Sequence, residues 1–417
     1  MSAPRQKFSK LEKYWMLNDV GNSAFILLTA TLLPIYFNYL AELGNLTSVQ
    51  YLSYWGYAIS AVTILVAICG PVMGAIADTN GYKNKLFCAS TLLGAISCAL
   101  LGFTANWIVF LCVFMISKFG VSMSMIFYDA MLNDITDIKN MDVVSTNGFA
   151  WGYIGSCIPF CVGLVLVLGG DKVGLSIETS MMITFIIIAI WWVAMALPLV
   201  KNYKQINHVE ATDKIIQKSF GRLANTFKEI KKEKHIFMFL LSFFFYIDGV
   251  YTIIDMATAY GEALGLNSNG LLLALLVTQI IAFPASIGFS ILSKKMPTEM
   301  LIKIGIIGYT GIACFAYFMN SQLHFWILAI CVGLFQGGIQ GMSRAYFAKI
   351  IPADKAGEYF GIFDICGKGA SFFGTALVSV ISQLTGNINI GVGAIGIFFV
   401  IGFILFSKTA NLVNERT

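Results

Sequence analysis

Twelve long apolar segments, separated by mostly short polar loops, run through this chain. The hydrocarbon core of a bilayer is about 30 Å thick, so a helix needs about 20 mostly apolar residues to cross it. The segments therefore predict an all-α membrane protein with twelve transmembrane helices. We expect these helices near residues 14–40, 51–77, 86–104, 106–130, 144–168, 178–200, 236–262, 269–293, 300–319, 322–348, 357–383 and 389–407.

Composition agrees with a membrane protein and argues against several other classes. Hydrophobic residues make up 58% of the chain, charged residues 12%, and the mean hydropathy is +0.78. A soluble domain is about a quarter charged, so no water-soluble fold would hide this apolar surface. The nine cysteines lie mostly in apolar segments without a CxxC pair, which indicates neither zinc nor a redox dithiol. We found no nucleotide-binding, nucleophile or metal motif, so we expect no enzyme and no cofactor.

The positions of the basic residues predict the orientation of the chain. Lys and Arg cluster in every second loop, and cytoplasmic loops carry an excess of these residues. Both termini and the central polar segment are therefore expected to be cytoplasmic, and the net charge of +5 does not indicate nucleic-acid binding. The basic loops are the N-terminal tail, the loop after the second span (Lys83, Lys85), the central segment and the loop after the eighth span (Lys294, Lys295).

Residues 201–235 form the only long polar stretch and divide the chain into two groups of six spans. We expect an N-terminal bundle at 1–200, a linker at 201–235 and a C-terminal bundle at 236–417. Phe227 to His235 would be either an interfacial amphipathic helix or a solvated linker. The fourth and tenth spans end in similar sequences, and the first and seventh spans each carry an acid. Two pseudo-symmetric six-helix bundles are a transporter plan with the site between the halves.

The loop after the second span carries a specific motif, Gly74-Ala-Ile-Ala-Asp78-Thr-Asn-Gly81-Tyr-Lys83-Asn-Lys85. Its spacing resembles the GxxxDxxGxK signature of the major facilitator superfamily. Gly74 lets helices approach closely, Gly81 permits a turn, and Asp78 suits the N-terminus of a neighbouring helix. Lys83 and Lys85 can meet anionic headgroups or an acid. The resemblance implies an elbow that latches one half to the other.

Five further segments resemble the vacuole-effluxer-like family of major facilitators. The family includes amino-acid effluxers of fungal vacuoles and a large bacterial set. The resemblance implies solute transport without enzymatic chemistry, here in a bacterial inner membrane. The segments are Leu17 to Phe25, Phe127 to Leu132, Gly148 to Gly155, Tyr246 to Thr252, and Gln336 to Ala348 with the residues that follow.

Polar residues at membrane depth mark the candidate solute site. A charge in hydrocarbon costs about 2.5–3.5 kcal/mol on insertion scales, so such residues usually face a cavity or a partner. In the superfamily, the first, fourth, seventh and tenth spans line the cavity. The spacing places Asp248 on one helical face with Tyr251, and Gln336 on one face with Gln340. The candidate solute-binding residues are Asp248, Tyr251, Gln336, Gln340, Lys368 and Trp151.

Other ionisable residues suggest a gate and a coupling site. Asp129 and Arg344 occupy matching ends of the fourth and tenth spans, and with Asp19 they would form an inner gate of charge pairs; separate headgroup anchors are the alternative. Asp364, a further gate candidate, is four residues before Lys368 and would form a structural pair with it, unless Lys368 faces a solute carboxylate. Asp19 and Asp248 are the candidates for coupling to H⁺ or Na⁺.

The sequence therefore predicts a monomeric secondary transporter for a small polar solute. Charges of both signs in the cavity favour an amino acid or a related zwitterion. Two alternatives stay open: a cation-coupled sugar or glycoside carrier using Asp19 and Asp248 as its ion site, and a membrane receptor that does not transport.

Overall fold

The computed structural model describes residues 8–210, 215–368 and 371–414, with the side chains of some residues inside these ranges left undescribed. The described chain is helical apart from its loops. The first group of helices is α1 Lys10–Ala30, α2 Leu32–Leu43, α3 Ser48–Ala77, α4 Lys83–Leu101, α5 Trp107–Ala130, α6 Leu132–Ile135, α7 Met141–Gly169 and α8 Ile177–Asn202. After the linker helix α9, Ile215–Lys232, come α10 Lys234–Ala263, α11 Ser268–Leu292, α12 Thr298–Tyr317, α13 Gln322–Ile350, α14 Ala356–Lys368, α15 Ser371–Thr385, α16 Ile388–Ala394 and α17 Gly396–Asn414.

The helices reproduce the predicted spans, with a difference in detail in the first span. Eleven stretches of the described chain are helical, long and apolar enough to cross a membrane. The described helices α14 and α15 together cover the predicted span at 357–383, and neither is long enough by itself to be among the eleven. The first span is α1 followed by α2, with Thr31 between them donating to the carbonyl of Leu27. The fold is the expected twelve-span, all-α membrane architecture.

The linker contains a longer helix than expected. The sequence suggested either a helix or a solvated linker from Phe227 to His235, whereas α9 begins at Ile215 and ends at Lys232. Its hydroxyl and carboxylate groups reach the start of α14. Thr226 donates to Glu358 at 2.7 Å, and Glu229 pairs with Lys355 at 2.8 Å. The linker helix therefore contacts the second group of helices, and it also packs against α3 of the first group.

Local sequence explains where several helices begin. At α1, Ser9 and Glu12 form a capping box, in which each side chain accepts from the other residue's backbone N–H. Thr47 and Gln50 repeat this arrangement at α3. Asn106 caps α5 by accepting from two backbone N–H groups. Such caps satisfy N–H groups that the helix itself leaves unpaired.

The two groups of helices meet through a few helix pairs. The main contacts between them are α3 with α14, α7 with both α11 and α13, and α5 with α14. Glycines allow the closest approach: a Cβ on Gly74 would lie 2.1 Å from the carbonyl oxygen of Gly357. We call the end of the bundle that carries residues 201–235 the linker end. The α3–α14 contact lies there, because α3 ends and α14 begins at that end.

Candidate functional site

Arg344, near the end of α13, joins the two groups of helices. Its Nη2 lies 3.2 Å from Asp19 Oδ2 on α1, and its Nη1 lies 3.0 Å from Asp129 Oδ1 on α5. Its Nε and Nη2 also donate to the hydroxyl and carbonyl of Ser145 on α7, both at 2.9 Å. Arg344 is 2% exposed and Asp19 is 3% exposed. A single guanidinium thus bridges three helices of the other group.

Aromatic rings surround the Arg344 guanidinium. Its carbon lies 4.5 Å from the ring centre of Trp15 and 4.3 Å from that of Phe149, within cation–π distance. Trp15 stacks on Tyr128 at 4.3 Å, and each of these side chains donates to the other's carbonyl oxygen. Gly148 leaves space for the ion pair, since a Cβ there would lie 2.5 Å from Asp19 Oδ2.

The charges of this cluster do not cancel. One guanidinium stands against the carboxylates of Asp19 and Asp129, so the cluster carries an excess acid if both are ionised. Removing one partner of a buried ion pair costs about 3–5 kcal/mol, because the other charge is left unpaired away from water. Loss of Arg344 would strand two carboxylates, whereas loss of one acid would leave a complete pair.

Further hydrogen bonds cross between the groups beside Arg344. Ser145 donates to the carbonyl of Gly341 at 2.8 Å. Lys349 and Thr298 both donate to Asp142 Oδ2, at 2.6 and 2.7 Å. Asn133 also donates to the Ala348 carbonyl at 2.8 Å, and Asn147 donates to Ser290 at 2.7 Å.

The elbow motif after α3 forms a second junction at the linker end. Asp78 accepts from the backbone N–H groups of Gly357 at 2.7 Å and Glu358 at 2.9 Å, in the first turn of α14. A negative charge is favoured at this end of a helix. Gly81 has a φ of 79°, a left-handed conformation that suits glycine. Lys85 is exposed and lies beside the Tyr82 ring.

Lys83 and Asp134 extend this junction inside the first group. Lys83 is completely buried, 3.8 Å from Asp78 and 3.2 Å from Asp134. Burial raises the pKa of Asp78 to about 7, and the Lys83 ammonium and the N–H bonds from α14 oppose that rise. The elbow is therefore a buried charge network that touches the other group of helices through Asp78.

The first residues of the linker form hydrogen bonds with the same network. The sequence did not suggest this contact. Asn207 donates to Asp134 Oδ1 through its backbone N–H at 2.8 Å and its side chain at 2.9 Å, and Tyr203 donates to Oδ2. Val209 forms a parallel bridge with Thr79. The sequence offered one sign of this contact, Asp134 itself, five residues after Asp129. At the end of a span, however, an acid resembles a residue that anchors the helix at the headgroups.

A set of polar residues lies deeper between the groups. Tyr153 on α7 donates to Gln340 Oε1 on α13 at 3.1 Å. Gln336, one turn further from the linker end, is 7% exposed. Tyr246 on α10 shares a 2.7 Å hydrogen bond with Ser343. The Tyr153–Gln340 bond joins α7 to α13 across the two groups, and the Tyr246–Ser343 bond joins α10 to α13 within the second group.

Asp248 lies against α15, within the second group of helices. Its Oδ1 accepts from the backbone N–H of Gly374 at 3.0 Å, in the first turn of α15, and from Thr252 at 3.3 Å. The residue is 0% exposed, and its Oδ2 has no hydrogen-bond partner among the described residues. In this conformation Asp248 therefore does not reach a solvent-exposed surface.

The remaining candidate residues of the solute site and the gate lie in different parts of the structure. Tyr251 packs near Gly367, with 3.6 Å to the position of an added Cβ. Trp151 is 47% exposed and contacts Phe283. It is about 200° around α7 from Tyr153, so it points away from Gln340. Asp364 is half-buried on α14, and the side chain of Lys368 lies outside the described part of the structure.

The described residues contain no group of three His, Cys, Asp or Glu side chains able to hold a metal ion. The contacts found here are ion pairs, hydrogen bonds and cation–π contacts between helices. Such an arrangement can hold or release one end of the bundle.

Comparisons with known proteins establish the family. The model of the family described as "Vacuole effluxer Atg22 like" matches residues 13–412. "Uncharacterized MFS-type transporter YxiO" of Bacillus subtilis is 39% identical over 407 residues, 96% of this chain and 95% of that protein. "Autophagy-related protein 22" of Kluyveromyces lactis is 22% identical over 292 residues, 65% of this chain and 58% of the relative.

A solved structure shows the same fold. That of the proton:xylose symporter XylE superposes with a TM-score of 0.73 at 12% identity, covering 96% of this chain and 95% of that one. The chain therefore belongs to the vacuole effluxer Atg22-like family and is a multi-pass transporter of the major facilitator type.

Proposed function

We propose that this transporter moves a small polar solute, an amino acid or a related zwitterion, by alternating access coupled to H⁺ or Na⁺. The observation that carries the proposal is the position of Arg344, which holds α1, α5 and α7 of one group to α13 of the other. Two six-helix bundles, residues 1–200 and 236–417, rock about a site between them. The bonds around Arg344 close the linker end in this conformation.

Opening the linker end requires Arg344 to leave its partners. Asp19 and Asp129 belong to the first group of helices, so their pairs with Arg344 break as the groups separate. Asp364 on α14 is a further member of this gate. The elbow at Asp78 releases α14 in the same motion, because its hydrogen bonds also cross between the groups. Charge pairs suit a gate because their strength changes when water enters.

Coupling to H⁺ or Na⁺ depends on what pairs with the Asp19 carboxylate as the linker end opens. While Arg344 is in place, Asp19 has a partner. Once Arg344 moves away, the carboxylate lies deep in the bundle without a counter-charge, and a proton or Na⁺ can take that place. Asp248 is the second candidate, because its Oδ2 is buried without a hydrogen-bond partner in the described structure.

The solute site lies between the groups at the depth of Gln336 and Gln340. Tyr153 already bonds Gln340 across the boundary, so solute binding would replace or extend that contact. Tyr251, Asp248, Lys368 and Trp151 complete the candidate set. Acids and bases together suit a zwitterion better than a neutral sugar, whose recognition needs no charge.

The membrane orientation follows the basic residues. The linker end carries Lys231, Lys232, Lys234, Lys294 and Lys295, so it faces the cytoplasm, together with both termini. The protein acts as a monomer in the bacterial inner membrane, because each chain holds both bundles and the site between them.

A ligand screen followed by uptake tests the proposal. Purified protein is heated with amino acids, small peptides, sugars or nucleosides, at two pH values and with or without Na⁺. A ligand that binds only the folded state raises Tm. An amino acid that raises Tm and is taken up by proteoliposomes under a proton or Na⁺ gradient supports the proposal. Stabilisation by glycosides alone identifies a sugar carrier, and binding without uptake identifies a receptor.

A further inference from the structure

A basic groove opens at the linker end, away from the gate. It has a volume of about 380 Å³ and lies between the start of α10 and the end of α17. Three of its six lining residues are lysines and three are apolar. The lining residues are Lys231, Lys234, Phe237, Met238, Lys408 and Leu412.

A second, apolar groove continues from the first. The two share Lys231 and Phe237, and the second has a volume of about 340 Å³. It follows α10 from Phe237 to Phe244, a rise of about 10 Å towards the membrane centre. Ile362 and Cys366 of α14 form its other wall. A charged opening therefore leads into an apolar channel between two transmembrane helices.

The lysines of the basic groove form no ion pair among the residues that the structure describes. Lys231, Lys234 and Lys408 are exposed, and none forms an ion pair with a carboxylate in the described structure. The nearest acids along the chain have other partners: Glu229 pairs with Lys355 at 2.8 Å, and Glu233 lies 3.5 Å from His235. The three ammonium groups are therefore available to an external anion.

We infer that these grooves bind one anionic phospholipid, with its phosphate at Lys231, Lys234 and Lys408 and an acyl chain in the apolar groove. Basic pockets between transmembrane helices bind anionic lipid headgroups on the cytoplasmic side. The apolar groove favours a lipid over a soluble phosphate, because it is continuous with the basic groove and can take an acyl chain joined to the bound phosphate. This site is separate from the proposed solute site and does not depend on which solute is moved.

Binding would also affect the linker helix. Lys231 lies at the end of α9, which contacts the start of α14 through Thr226 and Glu229. Asp78 accepts its hydrogen bonds from the same start of α14. A lipid held between α9, α10 and α17 would therefore stabilise the linker beside the elbow.

The test compares lipid binding in two lysine triple variants. In the first, Lys231, Lys234 and Lys408 are replaced by Gln; in the control, the exposed Lys201, Lys294 and Lys295 at the same end are replaced by Gln. Native mass spectrometry measures retention of phosphatidylglycerol against phosphatidylcholine, and Tm is measured with each lipid. Each lysine near a membrane surface contributes about 1 kcal/mol, so the first variant should bind phosphatidylglycerol on the order of 100-fold more weakly.

The expected result is preferential retention of phosphatidylglycerol by the wild type and the control, and its loss in the first variant with Tm in phosphatidylcholine unchanged. Leu241→Trp, which fills the apolar groove, should reduce retention while the lysines remain. Equal loss in both triple variants would indicate nonspecific surface attraction and overturn the inference. So would equal stabilisation by inorganic phosphate, or no preference for the anionic lipid in the wild type.

Discussion

Arg344 donates from Nη1 to Asp129 Oδ1 at 3.0 Å, although the two residues belong to different groups of six spans. The same side chain reaches Asp19 at 3.2 Å and Ser145 at 2.9 Å. These contacts make one buried cation a point of attachment between the groups, beside the elbow at Asp78. Three features can be tested separately: the balance of charges around Arg344, the room that Gly148 leaves for the ion pair, and the neighbouring elbow.

The charge balance predicts unequal effects of neutralisation. Arg344→Gln should destabilise the folded protein by about 3–5 kcal/mol, because it leaves two carboxylates without their counter-charge. Asp19→Asn and Asp129→Asn should each cost less, since either leaves a complete pair. Thermal unfolding in detergent measures the differences. Adding both Asn substitutions to Arg344→Gln should recover most of the lost stability; a triple variant no more stable than Arg344→Gln would contradict this reading of the cluster.

Gly148 tests the space around the ion pair. An alanine Cβ would lie 2.5 Å from Asp19 Oδ2, so Gly148→Ala should push Asp19 away from Arg344. Overpacking of this kind costs about 1–3 kcal/mol. Gly311→Ala is the matched control, because a Cβ at Gly311 on α12 has nothing within 4 Å. A lower Tm is expected for Gly148→Ala and not for the control; equal Tm values would argue against tight packing here.

The contact between α3 and α14 has its own matched pair of glycines. Gly74→Ala places a Cβ 2.1 Å from the Gly357 carbonyl oxygen, whereas Gly56→Ala, in the same helix, meets nothing within 4 Å. We expect Gly74→Ala to separate the helices and increase the labelling of a single cysteine placed near Gly357. Labelling should stay at the wild-type level in Gly56→Ala. The prediction fails if both variants label alike.

The elbow should respond to pH through Asp78. Burial holds its pKa at about 7 in this conformation, above the value of about 3.9 expected in water. Protonation therefore favours the closed elbow: this contribution is complete below about pH 4 and is lost as pH rises through about 7. The groups facing Asp78 are the Lys83 ammonium and the Glu358 carboxylate, with Asp134 beyond Lys83.

Cysteine labelling at the linker end measures this dependence. Between pH 6 and pH 8 we expect labelling to rise, after correction for thiol reactivity with a cysteine on an exposed loop. Asp78→Asn should remove the rise, because the amide does not titrate in this range. An unchanged pH dependence in Asp78→Asn would assign the effect to another group.

Hydropathy predicted the spans because crossing a bilayer requires a minimum length of apolar helix. It did not predict the break between α1 and α2 at Thr31, since an average over about 19 residues reports one apolar stretch whether or not the helix is continuous. The helix in the linker was placed too late in the sequence, because its first half, from Ile215, lacks the Lys/Glu pattern used to locate it.

The sequence predicted some contacts of the candidate site and not others, for a physical reason. Asp129 and Arg344 could be picked out because they lie at corresponding ends of the fourth and tenth spans. The structure brings them together. The Trp15 and Phe149 rings around Arg344 come from distant segments and need the tertiary arrangement. Helical spacing put Asp248 and Tyr251 on one face, but it does not report depth. At Asp248 that face is covered by α15, whose first turn donates a backbone N–H to the carboxylate.

The central claim is that the Arg344–Asp129 pair holds the linker end closed. The most direct test measures the distance across that end by double electron–electron resonance. Spin labels are placed at the exposed Lys139 and Lys294, in a variant lacking the nine native cysteines. The wild type should show a short-distance population, which Asp129→Arg and Arg344→Asp should each reduce.

The double swap, Asp129→Arg with Arg344→Asp, keeps the net charge of the cluster and should restore the short distance. Uptake of the solute identified by the ligand screen should return with it. A well-folded double variant that keeps the long distance of the single variants would contradict a direct gating pair. Single variants with the wild-type distance would contradict it equally.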